Sequence, residues 1–220
     1  MIPLTTIPDF KMWYEPLLFI DDVEVHFNEG VRVCMKDVSN ALLVLTHLNV
    51  PITNTCSAAV CLEQLKTVKG SVDVFFDNNK LIFKNGNTKY KVTTLCDPKV
   101  VTAVFPEIKW ELFKINIPKD GIKDLMNVAE KEETMKFKTL DGNLYVVDEE
   151  DLVEVTYDNV VDKSLEIKSG FGFSYIGPII KSLKYFNNLE VFLGNAVPAK
   201  FHMWNDLMDI VYLVAPRIED

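Results

Sequence analysis

The chain has 220 residues, 48% of them hydrophobic, with a net charge of −9. Such a length can fill one larger domain or two of about 110 residues each, and no run approaches the ~18 apolar residues of a membrane-spanning helix. Met1-Ile2-Pro3-Leu4 lacks the basic start and cleavage site of a secretion signal, so the sequence reads as a soluble intracellular protein with no membrane partner. The acidic balance weighs against phosphate contact over the whole surface, but an acidic protein can keep one basic face.

Pro8 to Phe19 carries the first helical periodicity, weakened by Pro16. Val23, Val25 and Phe27 then alternate with polar neighbours as a strand does, and Val31 and Val33 follow Gly30 in the same way. Ala41 to Leu48 is a more continuous apolar run, expected to be a strand covered on both faces. Ser57 to Val68 places Val60, Cys61, Leu65 and Val68 on one side of a second predicted helix. Val72 to Phe76, Asp77-Asn78-Asn79 and Leu81 to Phe83 read as a hairpin, and Asn85-Gly86-Asn87 turns the chain into Lys89 to Leu95. Cys96 to Trp110, with Pro98, Pro106 and the apolar centre Val100 to Phe105, reads as an extended connector.

The second half repeats this habit. Leu112 to Ile117 is a predicted strand, and Lys119 to Lys131 a third helix that groups Ile122, Leu125, Met126 and Ala129. Thr134 to Leu140 and Leu144 to Val147 flank the turn Asp141-Gly142-Asn143, and Leu152 to Tyr157 and Ser164 to Ile167 follow as strands. A fourth helix spans Ser174 to Phe186, with Ile176, Ile179, Ile180 and Leu183 on one face and Pro178 in the first turn or bending it. Leu189 to Leu193, Ala199 to Trp204 and Ile210 to Val214 close the series as strands.

Helices spaced in this order among many strands predict an internal duplication: an α+β fold of two similar domains, each with two helices packed on antiparallel sheets. The boundaries fall at 1–95, a connector at 96–110, and 111–220. Catalytic signatures are missing: no glycine-rich phosphate loop, Gly-x-Ser-x-Gly or His-Glu-x-x-His occurs. His26, His47 and His202 lie far apart in strand-like runs and read as structural. Cys34, Cys56, Cys61 and Cys96 follow no zinc spacing and read as buried thiols. The acidic run Asp148-Glu149-Glu150-Asp151 could hold a metal, but charged turns usually bind nothing. The sequence thus implies no enzyme, cofactor or metal.

The C-terminal Val211-Tyr212-Leu213-Val214-Ala215-Pro216-Arg217-Ile218-Glu219-Asp220 resembles the end of the proliferating cell nuclear antigen (PCNA) clamps, a strand followed by Ala-Pro-basic-Ile/Val-acidic. Gly30-Val31-Arg32-Val33 with Asp37 and Leu42-Leu43-Val44 is similar to an N-terminal pattern of that family, although Lys36 stands at its methionine. Thr102 to Glu107 resembles its interdomain connector, Phe171 to Lys181 its final helix, and Val197-Pro198 the proline before its penultimate strand. The likeness covers nearly the whole chain, which is shorter than the family's usual length.

This resemblance implies a DNA clamp fold whose subunits form a ring, a homotrimer around duplex DNA with helices lining the hole. The implied DNA-facing lysines are Lys11, Lys66, Lys69, Lys119, Lys123, Lys181 and Lys184, with Lys66, Lys123 and Lys181 fitting best. Long ammonium side chains attract phosphate without reading bases, as sliding requires. It also implies a groove for partner peptides on Val104, Phe105 and Pro106, with Pro198, Val214, Ala215 and Pro216 beside them and Ala41 and Leu43 as floor. Implied partners are a DNA polymerase, other clamp-binding proteins and a separate clamp loader, at DNA in an archaeal cytoplasm or a eukaryotic nucleus, or from a virus. Ring closure is expected between Thr88 to Leu95 of one subunit and part of Leu152 to Tyr157 of the next. A heterotrimeric or checkpoint-type subunit, a monomeric viral processivity factor and a generic α+β interaction protein are the alternatives.

Overall fold

The computed structural model describes residues 1–37, 39, 41–95, 113–116, 124, 134–147, 154–158, 161–164 and 166–217, with backbone alone at 113–116. The chain divides into two compact units. One comprises Met1–Val38, Val44–Phe105 and Asp206–Ile210; the other comprises Ser39–Leu43, Pro106–Asn205 and Val211–Asp220.

In the first half of the chain lie β1 (Ile2–Ile7), β2 (Asp22–Phe27), β3 (Val31–Lys36), β4 (Leu42–Leu48), β5 (Cys56–Cys61), β6 (Val72–Phe76), β7 (Lys80–Asn85) and β8 (Thr88–Thr93). They run in the orders β1-β6-β7-β8 and β5-β2-β3-β4. The second half holds β9 (Phe113–Asn116), β10 (Thr134–Leu140), β11 (Asn143–Val147), β12 (Glu154–Tyr157), β13 (Lys168–Gly172), β14 (Asn188–Leu193), β15 (Ala199–Trp204) and β16 (Met208–Val214). These run in the orders β9-β14-β15-β16 and β13-β10-β11-β12. Adding eight to every strand number of the first half reproduces the second, so the predicted duplication is present strand for strand.

Local chemistry explains the hairpins. Asn78 and Asn79 both take positive φ, 46° and 59°, the conformation a two-residue turn needs between right-twisted strands. Asp77 and Lys80 exchange backbone hydrogen bonds of 3.0 Å across it. Asp141 and Gly142 do the same between β10 and β11, with φ of 51° and 88°.

The first unit's core gathers on α1 (Phe10–Tyr14). Asp9 caps this helix by accepting from the Lys11 and Met12 amides at 3.1 and 3.2 Å. Phe10, fully buried, meets the Phe83 ring edge-on at 5.1 Å and packs against Trp13 and Tyr14. The predicted helix is cut short because Pro16 falls in a 3₁₀ turn over Glu15–Leu17. In the second unit α2 (Phe173–Ser182) buries Ile176, Ile179 and Ile180, and a 3₁₀ turn over Leu183–Tyr185 buries Leu183, as the periodicity predicts. Pro178 lies beyond its first turn, and its carbonyl accepts from the Ser182 hydroxyl at 2.8 Å.

Three expectations need correction, and one strand was missed. Ser57 to Val68 is no helix: Cys56–Cys61 pairs residue for residue with Asp22–Phe27, and only Leu62–Leu65 turns, as 3₁₀. Ala58 and Val60 alternate inward there, so the period of two prevails over the period of 3.6. No described residue of the range 164–167 is in a strand; Ser164 instead donates its amide and hydroxyl to Asp162 (2.8 and 2.6 Å), and β13 begins at Lys168. β4 is covered on one face, with Leu42, Val44, Thr46 and Leu48 buried and Leu43, Leu45 and His47 half-buried. β1 escaped the pattern because Pro3 and a bulge between Pro3 and Thr5 break its alternation. The predicted connector, the helix at Lys119 to Lys131 except for helical, exposed Asp124, and the run Asp148 to Asp151 lie outside the described residues. Among the described residues no helix is long and apolar enough to cross a membrane.

Candidate nucleic-acid interface and partner groove

The first unit brings three of the predicted lysines to its helical side. Lys11 lies on α1, Lys66 ends the turn after β5, and Lys69 precedes Gly70, whose carbonyl accepts from the Phe10 amide at 3.1 Å. The Lys69 carbonyl is itself held by Asn85 Nδ2 at 2.7 Å, which fixes that loop against β7. Tyr14 lies in the field of both Lys11 and Lys66; burial, then the nearby Glu15 carboxylate, holds its phenol above the usual range.

These lysines are not equivalent. Lys11 pairs with Glu15 at 3.1 Å, one helical turn on, and Lys66 pairs with Glu63. The hydrogen bond Lys66 donates to Glu63 raises the Lys66 pKa. Lys69 is exposed and makes no ion pair among the described residues. In the second unit Lys181 is exposed in the last turn of α2, likewise without an ion pair among the described residues, and Lys184 places its ammonium 4.8 Å over the Tyr185 ring. Lys119 and Lys123 lie outside the described residues.

The C-terminal segment is pinned from both sides. The Ala215 amide donates to the Ala41 carbonyl at 2.8 Å, and the Arg217 amide donates to the Gly170 carbonyl at 2.8 Å. The Arg217 guanidinium also reaches the Thr134 hydroxyl. Pro216 therefore sits half-buried between two anchored neighbours, with Val214 fully buried before it. Tyr212, on the same strand as Val214, has its phenol driven far above its ordinary pKa by complete burial. Ala41, Leu43, Ala215, Pro216 and Pro198 are all half-buried in this unit. Ala41 acts through its carbonyl, a role its side chain does not advertise. Arg217 and Thr134 were not foreseen; the basic residue after Ala-Pro was the available signal. Val104, Phe105 and Pro106 lie outside the described residues.

The strands expected to join subunits both stand at the ends of their sheets: β8 in β1-β6-β7-β8 and β12 in β12-β11-β10-β13. β8 exposes Lys89 and Lys91, and β12 exposes Glu154. The histidines have structural partners. His26 Nδ1 lies 2.9 Å from Ser57 Oγ, His47 Nε2 lies 3.0 Å from the Glu29 carbonyl, and His202 stacks on Trp204 at 4.6 Å. Among the described residues no cluster of His, Cys, Asp and Glu is arranged to hold a metal.

Comparison with known proteins gives one consistent picture. No family model matches the chain. A protein named DNA polymerase sliding clamp from Methanococcoides burtonii is 28% identical over 215 residues, covering 87% of this chain and 86% of that one. Another of the same name from Methanosarcina barkeri is 24% identical over 225 residues, covering 92% and 91%. Among solved structures, A. fulgidus PCNA bound to the C-terminal region of FEN-1 superposes with a TM-score of 0.83 at 17% identity over the full length of both chains. A PCNA2–PCNA3 complex from Sulfolobus tokodaii gives 0.79 at 16%, covering 98% of this chain and all of that one. The Entamoeba histolytica PCNA gives 0.78 at 12%, covering 98% and 99%.

Proposed function

We infer that this chain, a sliding clamp of the PCNA type, closes with two further copies into a ring around duplex DNA and tethers a DNA polymerase and other replication and repair proteins to it. The observation that carries the reading is the strand-for-strand repeat of eight elements in a chain whose whole length superposes on PCNA structures. Two domains, 1–95 and 111–220, joined by the connector 96–110, would each give one helical side to the hole. Lys11, Lys66, Lys69, Lys119, Lys123, Lys181 and Lys184 would face the phosphates there. Contacts of that kind hold DNA without base readout. The chain acts as a tether with no chemistry of its own, inside the cell, and a separate ATP-driven loader opens the ring.

Closure is assigned to β8 of one copy and β12 of the next. Their end positions in the sheets and the opposite signs of Lys89, Lys91 and Glu154 support this pairing. Light scattering on a sizing column, across a dilution series, tests it. A mass of roughly 75 kDa, three times the 25.1 kDa chain, is expected to persist on dilution. A mass of one chain at all concentrations would overturn the self-closing ring and favour a heteromeric subunit or a monomeric processivity factor.

The partner groove is assigned to Val104, Phe105 and Pro106 with Ala41, Leu43, Pro198, Val214, Ala215 and Pro216. An extended peptide carrying a glutamine and an aromatic plug would use the apolar side chains for area and the pinned backbone for register. Pro216→Glu places a charge at the centre of this surface and should weaken such a peptide by about a hundredfold in calorimetry. The solution mass should stay unchanged. Equal affinity in the variant would remove the assignment.

A further inference from the structure

We propose that the β1-β6-β7-β8 sheet carries, on the face opposite α1, a second surface that binds a nucleic-acid backbone without sequence preference. β7 alternates: Leu81 and Phe83 turn inward, where Phe83 meets Phe10 of α1, and Lys80, Ile82 and Lys84 lie on the other face. Register extends the set, because Lys84 stands opposite Lys89 and Ile82 opposite Lys91. Four lysines on two adjacent strands thus share one face of a protein with net charge −9.

None of the four makes an ion pair among the described residues. Lys84 holds its ammonium 4.6 Å over the Phe75 ring. Two acidic groups stand nearby and neither forms an ion pair with these lysines: Asp73, opposite Lys84 in the strand register, accepts from the Thr6 hydroxyl at 2.6 Å, and Asp77 pairs with the Met1 amino group at 3.2 Å. Ile82 is only 2% exposed; in the register Phe75 and Lys91 stand opposite it, and Lys80 and Lys84 lie two residues either side on the same face.

That covering decides the class of partner. A protein segment docks through apolar or aromatic anchors in a pocket, and here the central apolar side chain is already hidden. What remains on offer is a set of ammonium groups, which suits repeated phosphates and reads no base. The sheet separates this face from α1, so a duplex touching Lys11 is a different segment from one lying across Lys80 and Lys84. In a closed ring Lys89 and Lys91 face Glu154 of the next copy, and Lys80 and Lys84 on the interior strand β7 remain to carry the contact.

The test uses the full chain and a fluorescent linear duplex of roughly 20 base pairs, with anisotropy read from about 50 to 200 mM salt. Lys80 and Lys84 are changed, and the edge strand β8 is left intact. K80E/K84E should bind about tenfold more weakly, and its log–log salt slope should fall by about 2. K80Q/K84Q preserves the stems over Ile82, which guards the fold, and should lose a similar slope. Unchanged affinity and slope in both variants would mean that the lysines only keep the sheet soluble, and would overturn the proposal. So would loss of poly-glutamate binding in K80Q/K84Q with duplex binding intact, since the face would then serve an acidic protein.

Discussion

Exchanging Lys69 and Lys181 for glutamate in every subunit should lower the affinity for a linear duplex by about a hundredfold and flatten its salt dependence. The reason lies in which lysines are already neutralised. Glu15 sits 3.1 Å from Lys11, and Glu63 holds Lys66, so a phosphate reaching either must displace a carboxylate and gains only the difference. Lys69 and Lys181 carry no such partner among the described residues. Each phosphate contact contributes about 0.9 to the salt slope, so in the proposed ring of three copies the loss of two lysines per copy removes about 5 if all are engaged. The companion K11Q/K66Q should cost less than about threefold. A larger loss in the companion than in K69E/K181E would reject this ranking, and no loss in either would reject the lysine-lined hole. The sequence favoured Lys66 together with Lys123 and Lys181; the neighbouring Glu63 moves Lys66 down the order.

Replacing Gly30 by valine is the substitution expected to cost most stability, about 3 kcal/mol or more from the strained backbone and the steric clash together. Gly30 has φ of 137°, a region closed to branched side chains. A Cβ built there lies 2.6 Å from the Leu48 carbonyl oxygen and 2.6 Å from His47 Nε2. Neither can withdraw freely, since Leu48 O accepts from the Val50 amide at 3.1 Å and His47 Nε2 is bonded to the Glu29 carbonyl. Gly86→Ala is the control: its φ of 54° imposes strain, but nothing lies within 4 Å of the added methyl. It should cost only about 1 kcal/mol. Urea midpoints separate the two, and equal losses would show that the crowding at Gly30 is relieved at no cost.

Much of the architecture was legible because strands with one buried face announce themselves. β2, β3, β10 and β15 were marked by alternation, and the turns at Asp77-Asn78-Asn79 and Asp141-Gly142 by residues that tolerate positive φ. Ser57 to Val68 failed because Val60, Cys61, Leu65 and Val68 satisfy helical spacing while Ala58 and Val60 also satisfy strand spacing. A short run cannot decide between them without its partner strand. Of the proposed groove, Ala215-Pro216 was readable as a motif, whereas the Ala41 carbonyl became visible only once the chain was folded against it. The pairing of Lys66 with Glu63 was readable all along, three residues apart on a turn. The lysine face of β7 and β8 was half readable: Lys80 and Lys84 share a parity, but joining them to Lys89 and Lys91 required the register.

The edge charges carry one more consequence. Two β8 edges meeting would bring the lysines of one copy beside those of the other, and two β12 edges would bring two Glu154 carboxylates onto one seam; like charges across strands destabilise. A mutual two-fold dimer is therefore disfavoured on either edge, and only the unlike contact is rewarded. Such a contact has a direction and leaves one unsatisfied edge at each end, so association halts only when the last edge finds the first. The same rule sets the terms for mixing: a different subunit that shows acid on one edge and base on the other would be admitted in any place, in one orientation only.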